Sequence, residues 1–98
     1  MDAVSNVMAG KRGLVMGVAN ERSIAWGIAK TAAEHGAELA FTYQGDALLK
    51  RLEPLARSVG SDTIMQCDVT EDRSIEDTFT SIRQKWGKLD FLVHAIAY

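Results

Sequence analysis

At 98 residues the chain holds at most one small domain, and a chain of this length buries only about 60–65% of its unfolded surface, which leaves stability marginal. A hydrophobic content of 47% against 24% charged residues is ordinary for a globular protein and argues against disorder. The net charge of −2, with its 11 basic residues scattered, carries no nucleic-acid footprint, and a single cysteine, Cys67, excludes an internal disulfide framework.

No apolar run approaches the roughly 20 residues that span a bilayer. Residues 1–10 lack a basic head and a long apolar run, and Lys11 and Arg12 follow the weakly apolar stretch instead of preceding it, so a secretory signal is not expected. The expectation is a soluble cytoplasmic protein without a membrane or nucleic-acid partner.

After a lead-in that closes with a Gly10-Lys11-Arg12 turn, Leu14 to Val18 is a continuous apolar run, the pattern of a strand covered on both faces. Ile24, Ile28, Ala29 and Ala32 then recur at helical spacing, which predicts a helix over 24–35 with Ser23 as N-cap and Gly36 just past its end. A second strand is expected over 38–43, and a second helix over 47–59 capped by Asp46. Pro54, the only proline, predicts a kink there or a shorter helix restarting. Residues 63–67 give a third strand. A third helix over 72–86 carries the stripe Ile75, Phe79, Ile82 and Trp86 and stops at Gly87. Residues 89–94 give a fourth strand, continuing as Ala95-Ile96-Ala97-Tyr98.

Strand and helix alternate about every 25 residues, which implies an α/β fold with parallel strands and right-handed crossovers. With a phosphate-type loop after the first strand, the expected architecture is a Rossmann-like doubly wound parallel sheet of strand order 3-2-1-4. The fourth strand would then be an open apolar edge, a pairing hazard unless further strands cover it. On this reading, residues 1–98 are the first part of a single dinucleotide-binding domain.

The loop from Gly17 to Gly27 carries the chemistry. Gly17 permits a tight turn, the Ser23 hydroxyl and the following amides can meet a phosphate, and Ala25 is small enough for close packing. The bland alternative is an ordinary strand-to-helix connection; its position after the first strand of an α/β pattern favours the functional reading. Cys67 has no metal-ligand spacing around it and reads as a small buried hydrophobe. His35 reads as a partner of its helix's C-terminal dipole, His94 as a core or rim residue, and Trp26 and Trp86 as core or interface bulk.

Gly17-x5-Ser23-x-Ala25, Gln44 after the second strand, Asp68-Val69 after the third and His94-Ala95-Ile96-Ala97 after the fourth together resemble the bacterial enoyl-acyl-carrier-protein reductases, a family of the short-chain dehydrogenase/reductase superfamily. Ordinary members of that superfamily carry further glycines in the loop and an Asn-Asn-Ala-Gly run after the fourth strand. This chain departs from both in the same direction.

The resemblance implies an NADH-dependent reduction of the trans-2 double bond of enoyl thioesters carried on acyl carrier protein, in type II fatty-acid synthesis, by a homotetrameric full-length enzyme. It implies that Gly17, Ser23 and Ile24 line the cofactor's phosphate and ribose end, and that Gln44 lies near the adenosine ribose. It implies further that Asp68 bonds the adenine amino group, Val69 packs on the ring, and Ile96 contacts the cofactor towards the nicotinamide. Without an arginine directly beside Gln44 to take a 2′-phosphate, NADH is favoured over NADPH, although Arg51 is only a few residues away. Asp68 also reads as a strand-end turn residue or helix cap, and Val69 and Ile96 as plain core.

The family's catalytic tyrosine and lysine stand seven residues apart, a spacing found here once, at Tyr43 and Lys50. We assign them no catalytic role: Gln44-Gly45-Asp46 separates them onto different elements, at the adenosine end. The true pair is expected beyond residue 98. The site list therefore contains no catalytic residue and no metal ligand. Rival readings are a non-catalytic dinucleotide-binding fragment and another short-chain reductase, the latter lacking its glycine-rich loop here.

Overall fold

The computed structural model describes residues 7–18, 20 and 22–95. Seven elements alternate: β1 (Arg12–Met16), α1 (Ile24–Glu34), β2 (Glu38–Tyr43), α2 (Asp46–Ser58), β3 (Ile64–Gln66), α3 (Asp72–Trp86) and β4 (Phe91–His94). The strands are parallel in the order β3-β2-β1-β4, as the alternation implies. The chain steps outwards from β1 through β2 to β3, then returns past β1 to place β4. That reversal puts the topological switch between β1 and β4, and ligands of open α/β sheets bind outside the carboxyl ends of strands at such a point.

Both faces of the sheet are covered, which is why Leu14, Val15 and Met16 are apolar without alternation. Val15, Leu39 and Phe41 face α1 and α2, packing with Trp26, Ala29, Leu52 and Ala56. Leu14, Met16 and Ala40 face α3 and pack with Ile82 and Cys67.

Several boundaries and faces differ from the sequence expectations. β1 begins two residues earlier than expected, because Arg12 is already paired in register with Glu38, and it ends before Gly17, whose φ of 110° leaves strand geometry. The turn preceding it is at 7–10, so Gly10 but not Arg12 belongs to it. β3 and β4 are shorter than expected, at three and four residues.

The buried face of α1 consists of Ala25, Trp26, Ala29 and Ala32, whereas Ile24 and Ile28 are 78% and 45% exposed. The alanines let the helix approach the strands closely, and Trp26 fills the remaining space against Phe41, ring centroids 6.3 Å apart. Asp46 is the first residue of α2 and not its cap; Gly45 takes the cap position in extended conformation. Pro54 lies inside an unbroken α2. Its position is exposed, so the carbonyl it leaves unbonded can meet water, while Leu52 and Ala56 hold the helix to the sheet on either side.

At the amino end of the strands, Arg12 ties the layers together. Its amide donates to Asp90 Oδ2 at 2.8 Å, its Nη1 donates to the Trp86 carbonyl at 2.8 Å, and its guanidinium lies 5.7 Å from the Trp86 ring centroid.

Candidate functional site

Parallel strands deliver all their carboxyl ends to one edge of the sheet, and four loops leave from there. Gly17 follows β1, Gln44 follows β2, Asp68 and Val69 follow β3, and Ala95 follows β4. Backbone hydrogen bonds hold this edge level: Cys67 N donates to Tyr43 O at 2.9 Å, and Ala95 N donates to Met16 O at 3.1 Å. His94 stands in register with Met16 at the exposed rim. Ile96 lies outside the described residues.

The loop between β1 and α1 is organised by its own polar side chains. Asn20 Oδ1 accepts from Arg22 N at 2.8 Å, and Ser23 N donates to Asn20 O at 3.2 Å. Ser23 is the N-cap, its Oγ accepting from Trp26 N at 3.3 Å, as the sequence predicted. The same Oγ donates to Asn20 O at 2.9 Å, so its hydrogen is committed to the loop itself. The first-turn amides of an α-helix lack intrahelical partners, and here those of Ile24 and Ala25 are the donors at the positive end of α1. The Ile24 side chain is exposed beside them.

The second cluster spans β2 and β3. Gln44 Nε2 donates to Asp68 Oδ1 at 3.3 Å, so two residues 24 apart in sequence meet at the strand ends. Gln66 Nε2 donates to the Gln44 carbonyl at 3.3 Å. Thr70 donates twice to Asp68 Oδ1, from Oγ1 at 2.6 Å and from its amide at 2.9 Å. The Thr70 hydroxyl, then its amide, hold the Asp68 carboxyl below the usual carboxylate range. Ser74 Oγ accepts from Asp68 N at 2.8 Å. Val69 is half-buried and packs on the α3-side core.

Sequence reasoning missed Asn20, Thr70 and Ser74. Asp68-x-Thr70 carried the signal, since an Asp side chain commonly accepts from the backbone two residues on. Chemically, the edge offers amide donors and a small turn at one end and a carboxylate acceptor at the other. That donor set is complementary to a pyrophosphate joined to an adenine.

Tyr43 and Lys50 lie on β2 and α2, the first half-buried against the α1-side core and the second exposed. Among the described residues no three His, Cys, Asp or Glu side chains gather as a metal set, and no helix is long and apolar enough to cross a membrane.

The family model described as enoyl-(acyl carrier protein) reductase matches residues 17–98. The chain belongs to that family. Among curated enoyl reductases, it is 58% identical to enoyl-[acyl-carrier-protein] reductase [NADH] 1 of Rhizobium meliloti over 98 residues, covering 100% of this chain and 36% of the relative. It is 49% identical to the [NADH] FabI of Aquifex aeolicus over 92 residues, 94% of this chain and 34% of the relative. Solved enoyl reductases superpose on the fold. The enzyme from Anaplasma phagocytophilum, solved in complex with NAD, gives a TM-score of 0.92 at 45% identity, over 96% of this chain and 36% of that one. FabI from Candidatus Liberibacter asiaticus gives 0.92 at 53% identity, over 95% and 36%. The chain thus spans about 36% of the length of the enoyl reductases it matches.

Proposed function

We propose that this chain supplies the dinucleotide-binding part of an NADH-dependent enoyl-acyl-carrier-protein reductase of type II fatty-acid synthesis. The observation that carries the reading is the alignment, along one sheet edge, of the Gly17–Ser23 loop with the Gln44–Asp68 pair, in a chain whose family relatives are named as NADH enzymes. Bound NADH supplies the hydride that reduces the trans-2 double bond of an enoyl thioester.

In this reading the amides of Ile24 and Ala25 face the pyrophosphate, with Gly17 giving the backbone room to approach. Ser23 holds the loop and the first turn of α1 in shape, its hydroxyl exchanging its bond to Asn20 for one to phosphate when the cofactor is seated. Gln44 lies beside the adenosine ribose, where the Asp68 carboxylate next to it disfavours a 2′-phosphate and so favours NADH over NADPH. Asp68 accepts from the adenine amino group, Val69 packs under the ring, and Ile96 lies towards the nicotinamide. Tyr43 and Lys50 take no part in proton transfer. The reading extends to an enoyl group carried on acyl carrier protein as substrate, a cytoplasmic location and a homotetrameric full-length assembly.

The test is a titration with NADH and NADPH followed by an assay of NADH oxidation with a trans-2-enoyl thioester. Binding of NADH in preference to NADPH, with thioester-dependent oxidation in the full natural protein, is the expected result. NADH binding without turnover in that protein would support a binding role alone, and no binding would overturn the reading.

A further inference from the structure

Three donors converge on one oxygen of Asp68. Thr70 Oγ1 at 2.6 Å, Thr70 N at 2.9 Å and Gln44 Nε2 at 3.3 Å all reach Oδ1, and among the described residues none reaches Oδ2. The backbone of Asp68 is fixed as well, its amide donating to Ser74 Oγ at 2.8 Å from the first turn of α3. A carboxylate has two oxygens with about four acceptor sites, and when ionised it accepts only. Crowding one oxygen with donors fixes the rotation of the group and leaves the other as an open acceptor of known identity.

We propose that Thr70 is a positioning residue for purine recognition: by holding Asp68 Oδ1 it presents Oδ2 to the 6-amino group of the adenine, and so selects adenine over a 6-oxo purine. The proposal rests on the cofactor reading above. An amino group donates to Oδ2, whereas the 6-oxygen of hypoxanthine would set acceptor against carboxylate, an unpaired arrangement that costs more than a bond merely missing. The hydrogen bonds of Thr70 also hold the Asp68 carboxyl below its ordinary range, which favours the charged, acceptor-only form. Thr70 touches Asp68 and not the cofactor; removing its hydroxyl takes away the shortest of the three bonds that fix the carboxylate, loosens its rotation and changes discrimination more than affinity.

The experiment is a fluorescence titration of the full natural protein with NADH and with nicotinamide hypoxanthine dinucleotide in reduced form, comparing wild type, Thr70→Val and Thr70→Ser. Thr70→Val keeps the branched shape and loses the hydroxyl, while Thr70→Ser keeps the hydroxyl. Wild type is expected to prefer NADH, Thr70→Val to lose about three- to tenfold of that preference, the scale of one hydrogen bond, and Thr70→Ser to retain it. A Thr70→Val protein that binds both dinucleotides more weakly by the same factor, or with an unchanged ratio, would overturn the positioning role and leave the cofactor reading standing. Wild type binding both equally well would do the same. Wild type binding neither would overturn the cofactor reading and the proposal with it.

Discussion

Single polar groups hold this structure at positions where the backbone would otherwise be left unbonded. Ser23 is the clearest case, since its hydroxyl bonds the Trp26 amide and the Asn20 carbonyl at once. Ser23→Ala is expected to destabilise the protein by about 1 kcal/mol, read as a lower urea midpoint, because a lost N-cap leaves a first-turn donor unpaired. Ser23→Thr should restore most of it. Asp90 works at the opposite end of the sheet, where the Arg12 amide, and then the charges of Lys88 and Lys11, hold its carboxyl below the ordinary value. The unfolded chain therefore binds this proton more readily than the folded one. The stabilisation from Asp90 is present above the unfolded carboxylate value of about 4 and is lost as pH falls through the depressed folded value. Asp90→Asn should lower stability near neutrality and should lose less further stability than wild type on acidification below about pH 4. Equal acid slopes for the two proteins would remove Asp90 from the account.

At the scale of elements, β1 and β4 depend on a close approach between a glycine and an aromatic ring. Gly13 and Phe91 are register partners, and a Cβ at Gly13 would run into the Phe91 ring. Gly13→Ala is expected to cost about 1–3 kcal/mol through overpacking, and Phe91→Leu in the Gly13→Ala background should recover part of it. Additive losses from the two substitutions would show that the ring turns aside freely. Which elements form was legible in the sequence, because periodicity and capping residues are local: α3 runs Asp72–Trp86 and meets the left-handed Gly87 as its pattern required. Which face of α1 is buried was not legible. Ile24 and Ile28 offered a stripe as plausible as that of Ala25, Trp26, Ala29 and Ala32, and only the shape of the sheet beneath, which admits alanines and one large ring, chose between them. Pro54 is a similar case, since its penalty is local but its tolerance depends on being exposed between two anchored turns.

For the molecule as a whole, the Cα radius of gyration is 13.0 Å, close to the about 13 Å of a compact domain of this length. Its sheet nevertheless has β4 as an edge strand, with Leu92 45% exposed on it, and Ile24 and Ile28 of α1, with Val7 in the turn before β1, are exposed to solvent. Prepared as these 98 residues, the chain is expected to self-associate through that edge, and Leu92→Lys should lower the mean mass seen by analytical ultracentrifugation. An unchanged mass would move the contact to the α1 face.

The sequence by itself determined the order of elements, the parallel sheet, the glycine turn and capped helix start after β1, and which residues stand at the strand ends, since each follows from local chemistry and from the handedness of strand crossovers. It also named Gln44 and Asp68 separately. Tertiary structure alone decided that the two touch, whereas the bonds of Thr70 to Asp68 and of the Ser23 hydroxyl to Asn20 are local turn chemistry. The reason is distance: spacing along the chain fixes what a turn can do, but a bond between β2 and β3 exists only once the sheet has set their register.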